Sequence, residues 1–246
     1  PPRRALSEID RPLIDEASFQ LGQRFVDYGH VILDEAQDLS PMALRMVARR
    51  AKGQSFTILG DVAQCSGQWM YDDWALPLAS LGTSDAPVEL AELTVGYRVP
   101  DEFIALANAV LPEIGDTLRP TSSVRPAAGP PAWEQVHHDD LVDRVVQRAA
   151  DADERWATVA VVDGDPDRRA AVMDALGVRA SVDVLSPLEA KGLEFDGVIV
   201  VEPASMHEPF RSWRPLFVAV TRAVQHLELV GSRPLPAQLG GLVAAA

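Results

Sequence analysis

Apolar positions in this chain fall in short runs, and between most runs the spacing shifts to that of a helix. Val31-Ile32-Leu33 is one such run and ends in acids. The stretch 41–50 has helical spacing, with Ser40 placed to cap it and Pro41 at the first helical position. Phe56-Thr57-Ile58-Leu59 reads as a second strand, closed by Gly60-Asp61, and 88–93 as a third. A helix over about 100–111 follows, capped near Asp101. Residues 112–131 are rich in Pro, Gly and Ser and read as a surface loop. The alternation then resumes: strand 133–136, helix 140–150, strand 158–162, helix 165–176, strands 182–185 and 198–201, helix 215–223, strand 227–230. Short buried strands punctuated by helices predict an α/β fold, a parallel sheet flanked by helices on both faces. No internal repeat or low-complexity tract interrupts it.

Composition narrows the classes. Hydrophobic residues make up 47% of 246, enough for a packed core. No run reaches the ~18 apolar residues of a membrane span. Pro1-Pro2-Arg3-Arg4 is not followed by the apolar stretch of a secretory leader, and without an initiator Met the chain reads as a fragment. Cys65 is the only cysteine, which excludes an internal disulfide or a cysteine-based zinc site and suits a cytoplasmic location. A net charge of −14 argues against a tight non-specific grip on nucleic acid by this piece alone.

Two strings carry candidate chemistry. In Val31-Ile32-Leu33-Asp34-Glu35-Ala36-Gln37-Asp38 an apolar strand delivers two acids at its C-terminal end, where α/β sheets bind ligands. Asp34 is placed to hold Mg²⁺, with Glu35 beside it to orient or deprotonate an attacking water. The plain alternative is an acidic turn after a strand. In Ile58-Leu59-Gly60-Asp61-Val62-Ala63-Gln64, Gln64 at the same edge can hydrogen-bond a γ-phosphate or that water; the alternative is an ordinary Gly-Asp turn.

Together with three further strings these resemble the motifs of superfamily 1 helicase ATPases of the UvrD and Rep kind. Asp34-Glu35-Ala36-Gln37-Asp38 looks like motif II and Gly60-Asp61-Val62-Ala63-Gln64 like motif III. Leu93-Thr94-Val95-Gly96-Tyr97-Arg98 resembles motif IV, with Gly96 where the family has Asn. Ala190-Lys191-Gly192-Leu193-Glu194-Phe195 is similar to motif V, and Val218-Ala219-Val220-Thr221-Arg222-Ala223 to motif VI. All five stand in the family's order, over about residues 28–232.

The resemblance implies two RecA-like P-loop NTPase units: a partial first domain over 1–93 with motifs II and III, and a second over 94–246 with motifs IV to VI. ATP and Mg²⁺ would lie in a cleft between them, and hydrolysis would drive movement on single-stranded or duplex DNA. Tyr97 would stack on adenine. Arg98 and Arg222 would reach the γ-phosphate, where such an arginine contributes ~10³–10⁵ in rate. Glu194 would bind the ribose, and Lys191-Gly192 would shape its turn. The family's Thr-x-His opening of motif V is replaced by Ser186-Pro187-Leu188; Ser186 still offers a hydroxyl to a phosphate, whereas Leu188 cannot act as an imidazole. Trp69 or Trp74 would stack on bases; either is otherwise a buried tryptophan.

The interval from Arg98 to Lys191 is too short for the extra subdomain that UvrD and Rep carry there. In this it is like the HelD branch, whose members use ATP to free RNA polymerase from DNA. Tyr28-Gly29-His30, Leu39-Ser40-Pro41-Met42, Ser123-Val124-Arg125 and Val201-Glu202-Pro203 point the same way. The chain contains no Gly-x-x-x-x-Gly-Lys-Ser/Thr phosphate loop. The resemblance implies that an N-terminal part of the same protein supplies it, and that this piece alone turns ATP over negligibly. Two classes therefore stay open: an ATPase motor, and a degenerate non-catalytic module of helicase fold that binds a protein partner.

Overall fold

The computed structural model describes residues 6–7, 9–66, 69–83, 87–208 and 212–245. The leader reading of Pro1-Pro2-Arg3-Arg4 and the Gly67-Gln68 pair before Trp69 lie outside them. The chain divides into two units, Pro1–Ala91 and Glu92–Ala246.

The first unit holds helix α1 (Asp10–Gln20), strand β1 (Val31–Leu33), α2 (Pro41–Ala48), β2 (Phe56–Ile58) and α3 (Ala75–Ser80). β1 and β2 pair in parallel, Val31 opposite Phe56 and Leu33 opposite Ile58. The α2 start follows from its residues: the Ser40 hydroxyl accepts the Ala43 N–H at 3.1 Å, and Pro41 occupies the first turn, where no N–H is needed. α1 has no counterpart in the apolar pattern. Its attachment to α2 is ionic: the buried Asp15 carboxylate accepts from Arg49 at 2.6 Å and from Arg50, and Glu16 pairs with Arg49. Phe19 and Phe25 lie under those two guanidiniums, at 4.7 and 4.3 Å.

The second unit opens with β3 (Val95–Gly96), α4 (Asp101–Val110) and β4 (Ser122–Ser123). It continues through β5 (Ala132–Gln135), α5 (Leu141–Asp153), β6 (Val159–Asp163), α6 (Pro166–Leu176), β7 (Val182–Leu185) and α7 (Pro187–Ala190). β8 (Phe195–Val201), α8 (Arg214–Val220), β9 (Ala223–Gly231) and β10 (Ala244–Ala245) complete it. Its main sheet is six-stranded and parallel throughout, in the order β10-β5-β9-β8-β6-β7. Alternation along β6 shows the layering. Val159 and Val161 join Leu141, Val145 and Ala149 of α5, Val172 of α6 and Ile199 in one core cluster. Ala160 and Val162 are equally buried on the opposite face, toward which α7 and α8 pack. Each fully buried valine contributes ~1.5–3 kcal/mol, which is why β6 and β8 read as continuous apolar runs.

Two expectations fail. The stretch 88–93 is not a strand; the short ladder lies just beyond it, Val95 opposite Ser122 and Gly96 opposite Ser123. An apolar run becomes a strand only where a neighbour takes up its N–H and C=O groups, and Val88, Leu90 and Leu93 are instead exposed. The partner strand, β4, sits inside the stretch read as loop, because Ser122-Ser123 carries no apolar signal.

Candidate functional site

In the first unit the two acids follow β1 directly. Asp34 and Glu35 are exposed, and the Asp34 Oδ1 accepts the Glu35 N–H at 2.9 Å. Glu35 has φ 50° and ψ 37°, the left-handed region, which costs a non-glycine residue ~1–2 kcal/mol. That bend turns the chain from β1 into a single 3₁₀ turn, Ala36–Asp38. The strand ends are laced together: the Leu59 N–H donates to the Leu33 carbonyl at 2.8 Å, and the Ala36 N–H to the Leu59 carbonyl at 3.0 Å. Asp61 caps the next turn through the Ala63 N–H at 2.9 Å, and its second oxygen accepts from the Gln64 amide at 2.8 Å. Asp34, Glu35, Asp61 and Gln64 therefore share one edge of the β1–β2 ladder.

Sequence reasoning passed over the residue that joins them. Gln37 is fully buried. Its amide nitrogen donates to Glu35 Oε2 at 2.6 Å, and its oxygen accepts the Asp61 N–H at 3.2 Å. Asp38 makes a second crossing, accepting from the Ser66 N–H at 3.1 Å. Both stood in the Asp-Glu-Ala-Gln-Asp string, but spacing does not say that a side chain there reaches the next strand. Trp69 is 50% exposed and Trp74 partly buried, so neither is a core tryptophan.

In the second unit Tyr97 and Arg98 follow β3. Tyr97 is 80% exposed, so it too is no core aromatic. Arg98 pairs with Glu194 at 2.8 Å, which brings the fourth and fifth strings together at a half-exposed ion pair. Ser186 is the N-cap of α7 in a full capping box: its hydroxyl accepts the Glu189 N–H at 3.2 Å, and the Glu189 carboxylate accepts the Ser186 N–H at 2.8 Å. The Ser186 hydroxyl also donates to the Glu189 carboxylate at 2.7 Å, and this bond first, then the one from the Ser186 N–H, hold the Glu189 carboxyl below its usual range. Lys191 ends α7, and Gly192 takes φ +76°, a turn that suits glycine. Leu193 and Glu194 then lead into β8. Arg222, immediately before β9, is 2% exposed. Its guanidinium donates to the Val218 carbonyl at 3.1 Å, the Leu193 carbonyl at 3.2 Å and the Thr221 hydroxyl at 3.1 Å. The Phe195 N–H returns to the Arg222 carbonyl at 3.0 Å. Lys191–Glu194 and Thr221–Arg222 thus meet at the N-terminal ends of β8 and β9.

The donor set in the first unit suits Mg²⁺. Among the described residues no cluster of three or more His, Cys, Asp and Glu side chains could hold a metal by itself. Proteins commonly hold Mg²⁺ with one or two carboxylates while phosphates and waters complete the shell. Asp34 and Glu35 offer two adjacent hard-oxygen donors of that kind. Among the described residues no helix is long and apolar enough to cross a membrane.

Residues 182–230 match the UvrD-like helicase C-terminal domain family. That stretch runs from β7 into β9 and includes Ser186, Lys191, Gly192, Glu194 and Arg222. No curated protein sequence matches the chain. Among solved structures, the chain is similar to the PRRSV helicase, with 14% identity over 86% of this chain and 37% of that one and a TM-score of 0.50. It is likewise similar to arterivirus nonstructural protein 10, a helicase, in complex with DNA: 19% identity over 89% and 43%, TM-score 0.50. The C-terminal domain of a possible DNA helicase from Lactobacillus plantarum WCFS1 aligns at 22% identity over 61% of this chain and 98% of that one, TM-score 0.46. At these identities the viral structures establish a shared fold, the RecA-like α/β arrangement of helicases. The chain spans less than half the length of either viral helicase.

Proposed function

We propose that the complete protein is an ATP-dependent superfamily 1 motor of the UvrD type and of the HelD branch. It couples ATP hydrolysis to movement on DNA or to release of RNA polymerase from DNA. The observation that carries this reading is the first unit's strand edge, where a left-handed Glu35 stands beside Asp34 and is tied through Gln37 to the turn bearing Gln64. The family match over 182–230 supports it from the other unit.

In this reading Asp34 and Glu35 hold Mg²⁺, which supplies charge neutralisation at the phosphates when bound. Glu35 orients and accepts a proton from the attacking water, and Gln64 hydrogen-bonds the same water or the γ-phosphate. Tyr97 stacks on adenine, Glu194 holds the ribose beside the Lys191-Gly192 turn, and Arg98 and Arg222 stabilise charge on the transferred phosphoryl group. Trp69 and Ser186 serve the nucleic-acid track.

One observation favours the other class, a non-catalytic module that binds a protein partner: the Arg222 guanidinium is buried against backbone carbonyls. Turnover separates the two. In the full-length protein Glu35→Gln is expected to abolish ATP hydrolysis and keep ATP binding. Hydrolysis retained by that variant refutes the role of Glu35, and no hydrolysis by the unmutated protein favours the module. Co-purification with RNA polymerase, and ATPase assays with and without single-stranded DNA, distinguish polymerase release from DNA translocation.

A further inference from the structure

We infer that Gln37 is a positioning residue that locks the Glu35 carboxylate to the Asp61–Gln64 turn, so that the two shift as one piece. The inference rests on the reading of Glu35 as the group that acts on the attacking water. Both ends of the Gln37 amide are used, in an orientation that its partners fix. A carboxylate can only accept, so the nitrogen faces Glu35 Oε2 at 2.6 Å; a backbone N–H can only donate, so the oxygen faces Asp61 at 3.2 Å. Asp61 passes the connection on, since its carboxylate accepts the Gln64 amide at 2.8 Å. The result is one chain of bonds, Glu35–Gln37–Asp61–Gln64, linking the two side chains that the proposed chemistry needs.

The surroundings leave this chain little slack. Gln37 is fully buried, so its amide is shielded from water. Its amide oxygen occupies the space over Gly60: a Cβ at that position would overlap Gln37 Oε1 and approach Trp74 Cη2 to 2.9 Å. Gly60 is therefore required by close approach rather than by an unusual φ. Beneath the side chains, the bonds from Leu59 to Leu33 and from Ala36 to Leu59 hold the two strand ends together. A displacement of the Asp61 turn is thereby delivered to the Glu35 carboxylate.

Two experiments test this. The first uses the chain described here and does not depend on catalysis: a double-mutant cycle of Gln37→Ala and Gly60→Ala, read by denaturation. A methyl at Gly60 strikes the Gln37 oxygen, so Gly60→Ala should destabilise the wild type clearly more than it destabilises the Gln37→Ala background. Equal effects in the two backgrounds overturn the packing on which the inference stands. The second uses the full-length protein. Gln37→Ala, and Gln37→Glu, which keeps the volume but sets a second carboxylate against Glu35, should each lower kcat ~10–100-fold, the usual cost of losing a ligand's supporting partner. KM for ATP should stay within about threefold. A loss of stability with kcat unchanged reduces Gln37 to a packing residue and overturns the positioning role. If the unmutated full-length protein hydrolyses no ATP, it is the motor reading that fails, and the stability cycle alone decides whether the lock exists.

Discussion

Replacing Arg168 with methionine should weaken the second unit by an amount that depends on pH. Asp163 is the last residue of β6, and its side chain is buried. The Arg168 Nε and Nη2 donate to its two carboxylate oxygens, both at 2.6 Å, and the Asp165 N–H adds a third bond at 2.9 Å. Burial pushes the Asp163 carboxyl above its ordinary range, while the guanidinium pulls it back without cancelling the effect. Methionine keeps most of the stem's packing and removes the charge. Breaking a buried pair by removing one partner costs ~3–5 kcal/mol. The Asp165 N–H remains and the stranded carboxyl can take up a proton, so we expect ~3 kcal/mol at neutral pH. In Arg168→Met the folded-state pKa of Asp163 rises further above its unfolded value of ~3.9. A group whose folded pKa is raised gives its full contribution below the unfolded pKa and loses it as pH rises through the folded one. The deficit of the variant is therefore greatest near neutrality and shrinks as the pH falls toward ~4. Urea denaturation at two pH values measures it, with amide exchange on β6 and β8 reporting on this unit by itself. A deficit under ~1 kcal/mol at neutral pH, or one that does not change with pH, refutes the reasoning.

Two further outcomes follow from contacts already described. Burial acts to raise the Asp15 carboxyl, but Arg50 and Arg49 outweigh it and hold it below its ordinary range. The contribution of Asp15 is thus present above the unfolded pKa of ~3.9 and lost as pH falls through the lower folded value. Amides of α1 should lose protection in acid before those of β6, and simultaneous loss in both would contradict this. Ser186→Ala removes the hydroxyl half of the α7 capping box and should cost ~1 kcal/mol in chemical denaturation, with most of it restored by Ser186→Thr.

The second unit was largely legible in the sequence, because its signals are local or periodic. β6 and β8 are apolar on both faces and declare themselves as central parallel strands. Asp165-Pro166 marks a helix start by cap chemistry that needs no tertiary information, whereas the four-residue α7 after Ser186 was not read as a helix. What escaped the pattern depends on contacts distant in sequence. α1 is held by carboxylates against Arg49 and Arg50, just past α2; Asp15 is one of its buried residues, while its apolar Leu13 and Ile14 are exposed. β4 is two serines whose strand character comes from β3 alone. At the candidate site the acids after β1 could be picked out by type and position. The bond between Gln37 and Asp61 joins the turns after two strands, and the close approach of the Gln37 oxygen to Gly60 is visible only in three dimensions.

Arg222 ties two stretches of chain that are far apart in sequence. Its side chain grips the carbonyl before Glu194 while its own carbonyl receives the N–H after it. The segment that turns at Gly192 and the C-terminal end of α8 are consequently fastened at two points, as a hinge leaf is by two screws. The backbone on either side of Glu194 is therefore bonded directly to the residue that leads from that helix into β9.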